Sequence, residues 1–257
     1  MPPPHVYKTT AIVLRHRKLG EADKILTLFT ANRGKLDAVA KGVRRPTSKL
    51  AGHVEPLTYS TFLLAQGREL DIVTQAEILE PLTPLREELE RLSRGLYAAE
   101  LVDRLTPDRQ ESHRLFGLLL ETLRRLAARD DLDLVLRSFE VQLLDELGYR
   151  PQLDRCVSCG AALEPTANFW SAAGGGVLCP ACAAGDPLSR ELSLSALKVL
   201  RTLQRGGFGD AARVRIAGAL AQELEQHLRE YIRYLLERDL RSAAFLDTLR
   251  RRKAVRT

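Results

Sequence analysis

The chain has 257 residues, a net charge of +6 and 45% hydrophobic residues, which is enough for one large or two modest domains with a full core. No apolar run reaches the ~18 residues of a membrane span, and the start, Met1-Pro2-Pro3-Pro4-His5, lacks the apolar stretch of a secretory signal. Four cysteines in metal-type spacing and no others suit a reducing cytosol, so a soluble cytoplasmic protein is expected.

Charge is spread unevenly. Residues 1–50 carry +8 and residues 229–257 carry +5, which leaves −7 on the residues between them. Basic ends on an acidic middle point to a polyanionic partner held at defined surfaces.

Residues 1–80 read as short strands separated by turns. Tyr7 to Arg15 holds the apolar run Ala11-Ile12-Val13-Leu14, and Ile25 to Thr30 follows a turn at Gly20. Asn32-Arg33-Gly34 is a hairpin signal, after which Lys35 to Ala40 alternates with period two. Leu57–Leu64 and Glu69–Leu79 complete five strands, and an OB-type β-barrel is expected. From Pro81 and Pro84 onward, Leu, Ala, Arg and Glu recur with helical spacing as far as Gly148, with Pro151 beyond. Further helices are expected at Ser193–Arg205, Asp210–Arg238 and Ser242–Leu249. The fold class is therefore α+β and multidomain: a nucleic-acid-binding barrel over 1–80, and a helical domain over 81–257 interrupted by a four-cysteine zinc ribbon at 152–187.

The ribbon rests on Cys156-x2-Cys159 and Cys179-x2-Cys182, whose spacing fits a structural zinc site. Two knuckles supply four thiolates to one tetrahedral Zn2+, so no position is left for a water or substrate. Free thiols, disulfides and a redox role for Cys179-Pro180-Ala181-Cys182 are the competing readings. The redox motif needs a preceding strand and a long following helix, but hairpin and loop residues flank it here. Gly174-Gly175-Gly176 reads as the turn of the ribbon hairpin.

No phosphate loop, dinucleotide fingerprint, His-Glu-x-x-His, nucleophile elbow or deaminase signature occurs. A binder is expected, not an enzyme. Its candidate contacts are Arg15, Arg17, Lys18 and Lys24 around the first turn, Lys35 past the hairpin, and Lys41, Arg44, Arg45 and Lys49 in a loop that Gly42 and Pro46 keep irregular. Cations of this kind follow phosphates, while aromatic faces stack on bases. Of Tyr7, Phe29, Tyr59 and Phe62, two or more should face the core. The tail Arg250-Arg251-Arg252-Lys253 offers further cations.

Ala11-Ile12-Val13-Leu14 followed by Gly20-Glu21-Ala22-Asp23-Lys24-Ile25-Leu26 resembles the opening of the bacterial RecO family. So do Thr30 to Lys35, Ala40-Lys41-Gly42-Val43-Arg44-Arg45, Phe139 to Tyr149 and Arg238 to Leu246. The resemblance implies an N-terminal OB-fold, a helical domain and, in many members, an inserted four-cysteine zinc finger. It also implies a recombination mediator in DNA repair, working at the nucleoid. Such proteins bind single- and double-stranded DNA, anneal complementary strands and, with RecR, help load RecA onto strands coated by SSB, whose acidic C-terminal tail is a docking partner. Two rival readings remain from the residues alone: an RNA-binding OB protein of translation or ribosome assembly, and a metalloenzyme with an open zinc position.

Overall fold

The computed structural model describes residues 5–128, 131–211 and 214–236. The basic tail Arg250–Lys253, the expected helix Ser242–Leu249 and the family-like stretch Arg238–Leu246 lie outside these residues. Contacts divide the chain into two compact units, one running to residue 129 and the other spanning 130–240.

The first unit is built on five strands: β1 (Val6–Leu19), β2 (Asp23–Thr30), β3 (Gly34–Ala40), β4 (Tyr59–Ala65) and β5 (Asp71–Glu80). Their order is β1-β2-β3-β5-β4, with β4 returning to β1. Alternation puts Val13, Leu26, Leu28, Leu36, Phe62 and Leu64 into a shared core. The expected OB-type β-barrel is corrected to a mixed sheet. Antiparallel ladders run β3-β2-β1-β4-β5, but β3 and β5 meet in parallel over only two residue pairs, Ala38–Asp71 and Val39–Ile72. The circuit meets itself through that short seam alone, so its lacing is uneven, unlike that of the barrel which the strand spacing suggests. The rest of the free edge of β3 is occupied from elsewhere: Asp108 bridges Lys35, and the Arg109 N–H donates to the Lys35 carbonyl at 2.7 Å. Gly34 permits this approach, because its φ is +63° and a Cβ there would lie 2.1 Å from the Gln110 carbonyl oxygen.

The helices α1 (Pro84–Glu87), α2 (Leu89–Leu105) and α3 (His113–Ala127) follow. By contacts they go with the sheet, beyond the border at residue 80 expected from composition. Gly95 of α2 lets Leu57 come close, since a Cβ there would meet Leu57 Cδ1 at 2.7 Å. Ser112 caps α3 by accepting from the Leu115 N–H at 3.2 Å.

The second unit holds α4 (Leu132–Glu146), β6 (Asn168–Ser171), β7 (Gly176–Leu178), α5 (Pro180–Ala183), β8 (Arg190–Leu192), α6 (Leu194–Ala211) and α7 (Gly218–Leu236). Asp131 caps α4. Gly148, at φ +81°, follows its end, where the sequence analysis puts the stop. α4 packs against α6 and α7, with the three short strands inserted in sequence between α4 and α6. Arg201 and Gln204 of α6 donate to the carbonyls of Leu153 and Pro151, fixing where the insert begins. The helix expected from Asp210 starts later: residues 214–217 are non-helical and α7 begins at Gly218.

Candidate functional site

Cys156 starts the first knuckle, which closes when the Gly160 N–H, at φ +73°, donates to the Cys156 carbonyl at 2.9 Å. Cys179 precedes the short α5, and the Cys182 N–H returns to the Cys179 carbonyl at 3.1 Å. The β6–β7 hairpin turns through Gly174 and Gly175 and brings the second pair back to the first. The four Sγ atoms lie within 4.8 Å of one another, and Cys159 Sγ is 3.9 Å from Cys179 Sγ. A tetrahedral site with metal–sulfur bonds of about 2.3 Å puts its sulfurs about 3.8 Å apart, so this arrangement can hold a metal ion. Burial works against the Cys156 thiolate, but the backbone N–H groups of Cys159, Cys179 and Ser158 bring its pKa down to about 6. The Ser158 hydroxyl favours the Cys182 thiolate, yet the neighbouring cysteines, Cys179 foremost, push its pKa up to about 12. Four sulfurs this close do not all ionise without a cation among them. The short α5 also lacks the length of a thioredoxin-type helix.

Trp170, the chain's one tryptophan, ties this insert to α7. It is 1% exposed in β6, with its ring centroid 5.8 Å from both His227 and Tyr231. Burial lowers the His227 pKa, with Glu223 opposing.

The nine candidate cations of the first unit separate into two sets of four, with Arg44, exposed but bonded to the Gly20 carbonyl, between them. Lys35 is buried work for the fold: only 12% of its side chain is exposed, and its Nζ donates to the carbonyls of Asp103 and Thr106 and lies 3.3 Å from Asp108. Arg15 pairs with Asp103 at 2.7 Å, Arg17 with Asp37 at 3.5 Å, and Lys24 with Glu55 at 2.9 Å. Arg15 and Lys35 line a cavity of about 780 Å³ whose wall also carries Asp37, Glu100, Asp103 and Asp108, so acids balance its cations. Lys18, Lys41, Arg45 and Lys49, by contrast, are exposed and have no hydrogen bond or ion pair from their side chains among the described residues.

These free cations are brought to one end of the sheet. Lys18 and Lys24 are cross-strand partners, and Lys24 faces Ala40, the residue before Lys41. The following loop is tied to the β1–β2 turn by three bonds: the Gly42 N–H to Asp23 Oδ1 at 2.7 Å, the Arg44 N–H to the Ala22 carbonyl at 2.9 Å, and Arg44 Nη1 to the Gly20 carbonyl at 3.1 Å. His16 lies within this end, and burial followed by Lys24 lowers its pKa, so it adds little charge near neutrality. Among the described residues no aromatic face joins the cations: Tyr7, Phe29 and Phe62 are buried, and Tyr59 is half-buried edge-on against Phe116.

A second group of cations was not singled out from sequence. Tyr7 donates to the fully buried Asp71, Arg33 stacks over the Tyr7 ring at 3.9 Å, and Arg109 sits 3.5 Å from Asp71. The Gly67 N–H also reaches Asp71, which places the β4–β5 turn, with exposed Arg68, beside the start of β1 and exposed Lys8. The available signal was a cation next to each turn. Burial and hydrogen bonding to Asp71 raise the Tyr7 pKa far above its ordinary value, so the phenol stays a donor.

The model of "Recombination protein O N terminal" matches residues 4–82, and that of "Recombination protein O C terminal" matches residues 86–244. Proteins named DNA repair protein RecO are similar over nearly the whole chain. That of Roseiflexus sp. strain RS-1 is 48% identical over 95% of this chain and 86% of its own length. That of Pelotomaculum thermopropionicum is 43% identical over 94% of each, and that of Dehalococcoides mccartyi strain BAV1 is 38% identical over 97% and 98%. With both parts matched in order, and with relatives 38–48% identical over nearly the whole chain, the chain belongs to the RecO family of recombination proteins.

Proposed function

We infer that this RecO-family chain is a non-catalytic mediator of DNA recombination and repair that binds single and double strands and anneals complementary ones. The observation that carries this reading is the gathering of Lys18, Lys41, Arg44, Arg45 and Lys49, without acidic partners among the described residues, at one end of the sheet. A surface of this kind neutralises phosphates and releases counterions. Held against it, two strands repel each other less, and base pairing supplies the driving free energy. No nucleotide hydrolysis enters the scheme. The absence of an exposed aromatic face on the sheet favours backbone binding with little sequence preference.

Within this reading Cys156, Cys159, Cys179 and Cys182 hold one structural Zn2+, which fixes the insert without taking part in chemistry. RecR, the acidic tail of SSB and, indirectly, RecA are the proposed partners in loading strands. None of the described helices is long and apolar enough to cross a membrane. No observation favours the RNA-binding reading, and the RecO relatives carry DNA repair in their names.

The test is annealing of complementary strands coated with SSB, with ATP omitted, with and without RecR, and again with SSB lacking its tail. Acceleration without ATP, enhanced by RecR and weakened by loss of the tail, is expected. Strict dependence on ATP would overturn the passive scheme, and indifference to the tail would remove SSB docking.

A further inference from the structure

The free cations of the sheet unit lie at both of its ends, with a neutralised band between them. At the first end are Lys18, Lys41, Arg44, Arg45 and Lys49. At the other, where β1 begins, are Lys8, Arg33 and Arg68, beside Arg109, which is paired with Asp71 at 3.5 Å. Between them Arg15, Arg17 and Lys35 are each held by a carboxylate of Asp103, Asp37 or Asp108, and Lys24, across from Lys18 at the first end, is held by Glu55. Arg33 precedes β3 and Lys41 follows it, so its seven residues set the ends on the order of 20 Å apart at ~3.3 Å per residue. That exceeds the Debye length of about 8–10 Å at physiological salt, so each end attracts a polyanion on its own.

The second end is also a built surface. Asp71, at 0% exposure, bonds the Tyr7 hydroxyl and the Gly67 N–H, which fixes the start of β1 against the β4–β5 turn. The Gln66 N–H adds a bond to the His5 carbonyl at 2.9 Å. The Tyr7 ring holds Arg33 in place from below, and Lys8 and Arg68 have no side-chain partner among the described residues. Cations fixed on a rigid base lose little entropy on meeting a phosphate chain.

We propose that the sheet unit holds two single strands of nucleic acid at once, one at each end, and that the second site is formed by Lys8, Arg33 and Arg68. This rests on the sheet unit being the nucleic-acid interface and adds to it what annealing requires, two strands carried by one molecule. The neutral band keeps one strand from running continuously from end to end, so the second site stays open for the complement.

The experiment compares the intact protein with Lys8→Glu/Arg68→Glu and with Lys41→Glu/Arg45→Glu/Lys49→Glu. None of these five side chains makes a hydrogen bond or ion pair among the described residues, and thermal unfolding confirms that each variant is folded; Lys8→Ala/Arg68→Ala replaces the first if it is not. The probes are a short homopolymeric DNA strand, for the number bound at saturation, and a complementary pair, for the annealing rate. Two strands per intact protein are expected and one per variant. Annealing by the first variant should be about tenfold slower, roughly what two lost exposed charge contacts remove. A single strand bound by the intact protein, or unchanged annealing by the first variant, overturns the proposal. Equal loss of one-strand affinity in both variants means one continuous track and overturns it as well. Should strand binding change in neither variant, the reading of the sheet unit as the interface fails too; loss confined to the second variant removes the second site alone.

Discussion

The cysteine insert and the basic face of the sheet were both read from short-range sequence, and their side chains fared differently in the fold. Cys156, Cys159, Cys179 and Cys182 converge as a set, because each pair is a closed local turn and one hairpin joins the two. The nine cations do not act as a set: Lys35 is enclosed by carbonyls and carboxylates of α2 and the segment after it, while Lys41, six residues on, has no partner among the described residues. A metal shell is specified by spacing within a turn. The availability of a cation depends on which acid the rest of the chain places beside it.

The largest effect should come from breaking the cysteine set. Cys159→Ser, or prolonged chelation of the intact protein, should release one zinc per chain and unfold residues 152–187. Structural zinc supplies about 10–16 kcal/mol in isolated finger peptides, so loss of several kcal/mol of local stability is expected. Trp170 reports it directly, as the chain's one tryptophan, 1% exposed and packed on His227 and Tyr231. Its emission should shift to the red and proteases should cut near the insert. Metal analysis that finds no zinc, together with unchanged Trp170 emission after chelation, would refute the assignment. Binding of DNA should fall much less, because the free cations belong to the other unit.

The cation division is tested by comparing Lys35→Glu with Lys41→Glu/Arg45→Glu/Lys49→Glu. The first loses two carbonyl bonds and sets a carboxylate beside Asp103 and Asp108 in a site only 12% exposed. It should cost about 2–4 kcal/mol of stability, read as a lower melting temperature. The triple variant should melt within about 0.5 kcal/mol per substitution of the parent. Its log–log salt slope for a single strand should lose about 0.7 per phosphate contact removed. A Lys35→Glu protein with full stability and a flattened salt slope would return Lys35 to the DNA-facing set.

What could be read in the sequence was local. Period-two runs located the strands, Gly148 marked the end of α4, and the cysteine spacing located the metal-type cluster. What could not be read was set by distant partners. Gly34 was legible as a turn, but its need to be glycine comes from Gln110, far along the chain. The two-pair seam between β3 and β5 follows from the segment after α2 sharing the β3 edge, which no strand pattern announces. Asp71 gave no sign that it would be buried beneath Tyr7 and orient the second group of cations.

The smallest effect concerns a cation consumed at the surface. Arg124 of α3 holds Glu80 at the end of β5, with Nε 2.9 Å from Oε2 and Nη2 on Oε1. That hydrogen bonding, opposed by modest burial, holds the Glu80 carboxyl below its ordinary value of 4.5. A carboxylate whose folded pKa is depressed stabilises the fold above its unfolded pKa, and this contribution disappears as pH falls through the folded value. With side chains 35% and 44% exposed, the pair contributes about 0–1 kcal/mol. Glu80→Gln should therefore melt slightly below the parent at neutral pH, with the gap closing in acid below about pH 4. A gap that persists in acid would mean that packing, not charge, makes the contact. Arg15 is 51% exposed and held by Asp103 in a similar way. If the Glu80–Arg124 pair contributes little, the Arg15–Asp103 pair is weak as well, and a phosphate can compete for Arg15, which would move that cation from the structural set toward the DNA-facing one.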